Sequence, residues 1–138
     1  MDELSVRIYG EKLGDYQTVN AWWSARHHSD LAETILPPLG VIVENAGEPV
    51  GALWCYECFG VGVAFFEFPI TRPKTSLLDS AAIMMLAVEA LVRGAKSHGD
   101  YSLFRAYPDN GPLAYVMERC GFTRAGTTKQ VHMALRRD

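Results

Sequence analysis

The stretch from Ser76 to His98 constrains the fold more than any other part of the chain. Leu77, Ala81, Met84, Val88, Leu91 and Ala95 recur at helical spacing and trace one apolar face, which Leu78, Ala82, Met85 and Val92 widen. Glu89, Arg93, Lys96 and their neighbours leave only a polar strip. A helix this apolar is buried over much of its girth, most simply against a sheet. Its start is marked by Ser76-x-x-Asp79, a capping box in loose form with Asp where Glu or Gln is usual. Gly99 marks its end.

The rest of the chain supplies that sheet. Leu4 to Tyr9 alternates apolar and polar residues and reads as a first strand. Asp15 is placed to cap a helix running to about His28, with Val19, Trp22, Trp23 and Arg26 at helical spacing. Pro37-Pro38 ends any helix before residue 40, since neither ring has an N–H to donate. Gly40 to Glu44, the turn Asn-Ala-Gly-Glu-Pro and Val50 to about Phe59 form a hairpin, with Gly47 able to supply the positive φ the turn needs. A third arm, Val63 to Ile70, is rich in aromatics and carries Pro69 near its end, where ladder pairing should fail on one side. Ser102 to Tyr107 is the next strand. A short helix follows over Asn110–Cys120, with Pro112 in its first turn. Strands over Thr123–Ala125 and Gln130–Leu135 finish the order β-α-β-β-β-α-β-α-β-β. The expected architecture is one α/β (α+β) domain over residues 1–138: a single mixed, mostly antiparallel sheet with helices on both faces.

Composition excludes several classes of function. The chain has 138 residues, enough for one domain with a real core, and is 49% hydrophobic and 21% charged. Thirteen Lys+Arg against 16 Asp+Glu give a net charge of −3 with no basic block, so duplex nucleic acid is not an expected partner. No apolar run approaches a membrane span, and no membrane partner is expected. The start MDELSVRIYG lacks the basic n-region of a signal peptide, which makes a cytoplasmic location the default expectation. Three cysteines imply no disulfide framework. Cys55 and Cys58 form a lone CxxC whose thiols point to opposite faces of a strand, so they read as small packed hydrophobes rather than metal ligands, and no metal is expected. No Ser-His-Asp, P-loop or HExxH pattern is present.

The segment NGPLAYVMERCGF, Asn110 to Phe122, carries a specific resemblance. A turn, a short amphipathic helix with an acidic-basic pair at Glu118-Arg119 and a Gly-Phe stop, following an apolar strand, resemble the last helix of the GNAT N-acetyltransferase superfamily. The order of elements is similar to the GNAT fold over nearly the whole chain, and the phage and prophage GNAT-like proteins are the subgroup it most suggests. The resemblance implies acetyl-CoA as co-substrate, lying in a V-shaped opening between splayed strands, here Val63–Ile70 and Ser102–Tyr107. Exposed backbone groups there can pair with a pantetheine amide as a pseudo-strand. It implies cofactor contacts at Phe68, Ile70 and Asn110.

The same resemblance exposes two departures. The family's cofactor loop is Gln/Arg-x-x-Gly-x-Gly/Ala ahead of the long helix, whose glycines let backbone N–H groups close round a pyrophosphate. Here the segment is Arg72-Pro-Lys-Thr75-Ser-Leu77, leaving Arg72, Lys74, Thr75 and Ser76 to hold phosphate by side chains and helix dipole. Many members also use a tyrosine of the last helix to protonate the leaving thiolate. Alignment on Gly121-Phe122 puts Met117 there, a thioether with no proton to give. Tyr115 lies about 200° away round the helix and serves only if the register differs.

Other site residues follow from chemistry. Glu67 is the carboxylate within VAFFEFPI, and burial would raise its pKa toward that of a general base or an amine anchor. Glu67 should share a face with Phe65, opposite Phe66 and Phe68. Trp22, Trp23 and His27 lie where the family lines the acceptor side, although adjacent tryptophans cannot both face one groove. Two functions are consistent with these residues. One is an acyl-CoA-dependent N-acyltransferase acting on a small-molecule or peptide amine. The other is a non-catalytic GNAT-like binding module, and the long helix is apolar enough to support a homodimer.

Overall fold

A computed structural model of the chain describes residues 1–108 and 111–124. The elements are β1 (Leu4–Ile8), α1 (Asp15–His27), β2 (Leu39–Asn45), β3 (Glu48–Glu57), β4 (Val63–Thr71), α2 (Leu77–His98), β5 (Leu103–Ala106) and α3 (Gly111–Arg119), with a short 3-10 turn at Glu33–Ile35. Among the described residues they build a 5-stranded sheet in the order β1-β2-β3-β4-β5. The first three pairings are antiparallel and β4–β5 is parallel, joined by the crossover through α2. Residues 125–138 of the two expected final strands lie outside the described residues, and so does Asn110.

Two apolar layers sandwich the sheet. On one face α2 packs Ile83, Met84, Ala87, Val88 and Leu91 against Val41, Val43, Leu53, Cys55 and Phe66. Helix and sheet approach closely at Gly51, where a β-carbon would lie 2.4 Å from Ile83 Cγ2. On the other face α1 packs Val19 and Trp22 with Leu31, Ile42, Ala52, Trp54 and Ile70. The apolar stripe on α2 is buried from its second turn onward. In the first turn Leu77 and Leu78 are exposed, as is Met85 further along, so the buried surface is narrower than the sequence pattern suggests.

Local signals account for most element ends. Ser76 Oγ accepts the Asp79 N–H at 3.1 Å and caps α2. The β2–β3 hairpin turns on Ala46 and Gly47, both at positive φ, as a two-residue turn matched to strand twist requires. At the end of α3, Phe122 N–H bonds to Met117 O and Gly121 N–H to Glu118 O, with Gly121 at φ 99. This is a Schellman motif, and the Phe122 ring then packs edge-on against Phe66 at 5.7 Å. The Gly-Phe stop is thus a helix terminator tied to the core.

Asp15 does not cap α1. Gly14 occupies the cap position, and the Asp15 carboxylate is taken by Arg7, whose Nη1 and Nη2 donate to it at 2.8 and 2.7 Å. The Gly10 and Lys12 backbone N–H groups also donate to it, and Arg7 Nε reaches Glu44 at 3.0 Å. Asp15 and Glu44 are 6% and 8% exposed, so β1, β2 and the start of α1 share a buried ionic junction. Arg7 holds both carboxyls below their ordinary pKa.

Candidate active site

Strand β4 is longer than its parallel neighbour. Pairing with β5 runs from Val63↔Leu103 to Phe66↔Ala106 and stops. From Glu67 to Thr71, β4 continues beside β3 with no described strand on its other side. Among the described residues the sheet therefore splays here, and a cleft of about 550 Å³ opens along this edge.

A bulge shapes that edge. Trp54 pairs with Glu67 and Ala52 with Ile70, so Leu53 faces both Phe68 and Pro69. Phe68 takes φ 58, a conformation a bulky residue rarely adopts and one that costs about 1–3 kcal/mol. Aromatic packing holds it: the Phe68 ring lies 5.7 Å from Trp23, 6.4 Å from Trp54 and 6.3 Å from Tyr56. The bulge also breaks the alternation of faces. Phe66 packs in the α2 layer, whereas Phe68 and Ile70 pack in the α1 layer. The expected grouping of Phe66 with Phe68 is corrected accordingly, because the extra residue shifts every following side chain to the other face.

Of the residues singled out from sequence, Glu67, Phe68, Ile70, Thr75, Trp23 and His27 line the cleft. Glu67 is half-buried on the bulged edge, and desolvation raises its pKa. Trp23 stacks on His27 with centroids 3.9 Å apart, presenting an aromatic wall from α1. Trp22 is turned away by one helical step and buried with Trp54 and Ile42 in the core, so it does not line the cleft.

Tyr115 also falls outside the cleft and is exposed; from α3 it is Pro112 and Val116 that reach the cleft, one turn apart. Met117 is buried, locked by the Schellman motif that follows it. The tyrosine that lines the cleft is Tyr107, just past the end of β5, its ring stacked on Phe65 at 6.2 Å. Sequence reasoning missed it. The available signal was its place as the last residue of a strand expected to diverge.

The 72–76 segment turns tightly. Pro73 and Lys74, the latter at φ 70, occupy the centre of a turn closed by Thr75 N–H to Arg72 O, and Thr75 Oγ1 donates to the same carbonyl. Ser76 Oγ is committed to capping Asp79 N–H. Arg72 and Lys74 are exposed and lie outside the cleft lining, at the N-terminal end of α2. Phosphate binding there would fall to these two cations and the unbonded N–H groups of the first turn of α2. Cys55 is buried, and burial pushes its thiol up to about 12. Among the described residues no group of three potential metal ligands is found.

No family model matches the chain, and no curated protein matches it. Solved structures do. A transcriptional regulator from Bacillus halodurans C-125 superposes with TM-score 0.69 at 17% identity, over 95% of this chain and 100% of that one. N-acetylglutamate synthase from Neisseria gonorrhoeae, complexed with coenzyme A and N-acetyl-glutamate, gives 0.66 at 14%, over 86% of this chain and 28% of that one. Glucosamine-6-phosphate N-acetyltransferase from Arabidopsis thaliana gives 0.61 at 9%, over 96% and 100%. The mixed sheet with helices on its faces is the GNAT-like α/β fold that these structures share.

Proposed function

We propose that the chain is an acyl-CoA-dependent N-acyltransferase that moves an acetyl group from acetyl-CoA to a primary amine. The observation that carries this reading is the β4 edge from Glu67 to Thr71, unpaired among the described residues and lying inside a cleft. A pantetheine amide is a peptide-like group that can pair with such an edge, and this edge is the one that lies in the cleft. Solved structures that share the fold include acetyltransferases and complexes with coenzyme A.

The residues divide the work. Glu67, with its raised pKa, accepts the proton of the attacking amine. The amine nitrogen bonds to the thioester carbonyl carbon, and backbone N–H groups of the 67–71 edge stabilise the oxyanion that forms. The C–S bond then breaks, and Tyr107, the phenol among the cleft's hydroxyl-bearing residues, protonates the departing thiolate. Arg72 and Lys74 at the head of α2 hold the phosphates of the co-substrate. Proximity supplies much of the rate, so a site that no tyrosine of α3 reaches can still turn over.

Release of coenzyme A in the presence of an amine panel tests this reading. Tyr107→Phe should lower kcat about tenfold, whereas Tyr115→Phe should leave it within about twofold. The reverse ranking would move the proton donor to α3.

A non-catalytic ligand-binding module is the second reading. It is favoured by the turn at 72–76, whose Thr75 N–H and hydroxyl bond back to Arg72 O rather than facing a ligand. It predicts no coenzyme A release with any amine. A homodimer, a cytoplasmic location and a phage origin belong to either reading.

A further inference from the structure

The ionisable side chains along the cleft are unevenly placed. Glu67 is the carboxylate on the β4 edge, while Arg26 and His27, in the last turn of α1, line the same cleft. The remaining lining is mostly apolar or hydroxyl-bearing, including Phe68, Met84 and Val116. Cations commonly sit in the last turn of a helix, where they offset its dipole. That role does not require them to face a cleft, and Arg26 makes no ion pair with the described residues.

The phosphates of acetyl-CoA do not account for them. Arg72 and Lys74 stand in the loop at the head of α2, the helix that packs on the sheet face opposite α1. Two cationic places, one on each side of the splay, suit two separate anions. The α1 side also carries the aromatic wall of Trp23 and Phe68, 5.7 Å apart.

Resting on the acyltransferase reading, we infer that the acceptor is an amine that itself carries an anionic group, a carboxylate or phosphate a few bonds from the nitrogen. Arg26 and His27 take the anion and Glu67 takes the amine. Trp23 covers the carbon skeleton between them. The guanidinium fork suits either oxyanion, so the two sources share one chemistry.

Titration of the whole protein with unmodified amines, followed by tryptophan fluorescence, tests this without acetyl-CoA. The Trp23→Phe variant identifies the signal that comes from the cleft. L-Phenylalanine, O-phosphoethanolamine, L-phenylalaninamide and phenethylamine are the probes. One of the two anionic amines should bind about tenfold more tightly than both uncharged-tail amines, and Arg26→Gln should remove the difference. The arm that binds, carboxylate or phosphate, identifies the anion. Acetyl-CoA affinity should be the same in Arg26→Gln as in the unaltered protein. Equal affinity for L-phenylalanine, O-phosphoethanolamine and L-phenylalaninamide, or no binding of any probe at millimolar concentration, would overturn the inference. So would loss of acetyl-CoA binding in Arg26→Gln, which would assign that cation to the co-substrate. Binding of an anionic amine by a protein that ignores acetyl-CoA would keep the anion site and overturn the acyltransferase reading instead.

Discussion

Arg7→Leu should destabilise the fold by about 3 kcal/mol, because it strands two buried carboxylates with one partner removed. The guanidinium bonds Asp15 through both terminal nitrogens and Glu44 through Nε, and its own side chain is 11% exposed. Lys12 reaches Glu44 at 3.3 Å but is largely solvated, and it leaves Asp15 without a cation. The pH dependence should separate this mechanism from simple loss of packing. Asp15 and Glu44 have depressed pKa values in the folded protein. Their contribution is fully present above the unfolded values of about 3.9 and 4.3, and it is lost as pH falls through the folded values. In Arg7→Leu the same carboxyls become buried and unpaired, and their pKa values should rise. Stability should then improve on acidification from pH 7 toward 5, where the parent protein is flat. Urea melts across that range check it, and parallel profiles for the two proteins would remove the junction from the account.

Glu67→Gln should reduce kcat/KM about a hundredfold, equivalent to about 2.7 kcal/mol of transition-state stabilisation, and should not unfold the protein. Desolvation raises the Glu67 pKa, so the folded state binds its proton more tightly than the unfolded state does. A raised carboxyl costs stability as pH rises above the unfolded value of about 4.3 and through the folded one. Removing the charge at neutral pH therefore leaves the fold as stable as before or more so, while activity falls. Such opposed effects are the signature of a group retained for chemistry. The acid limb of the parent's rate profile should lie above the usual glutamate range and be absent in the variant. Unchanged turnover in Glu67→Gln would end the base assignment.

The parts of the fold that could be read from sequence are those whose cause is local. The Ser76 cap, the Gly47 hairpin and the Gly121-Phe122 stop each depend on a few neighbouring residues, and each sits where the sequence places it. Pro69 lies on the unpaired side of β4, as its missing N–H suggests, but the ladder with β5 already ends at Phe66. The bulge itself was not visible. It is set by register against Leu53 on β3 and by the Trp23, Trp54 and Tyr56 rings that hold Phe68 at positive φ. Missing it put Phe68 on the wrong face and left open which side of the sheet Glu67 served. The ionic junction was hidden for a similar reason, because Arg7 and Glu44 come together only when β1 pairs with β2. Asp15 accordingly looked like a helix cap, the commonest use of an aspartate at that position. Trp22 and Trp23 were correctly seen as incompatible in one groove, but only the packing of α1 decides that Trp23 is the one in the cleft.

The most direct test follows the backbone of the splayed edge while acetyl-CoA is added. Amide NMR signals of residues 67, 68, 70 and 71 should shift on titration, those of residues 41–43 in the fully paired β2 should not, and the melting temperature should rise with ligand concentration by mass action. An unmoved edge and an unchanged melting temperature at millimolar acetyl-CoA would contradict the account.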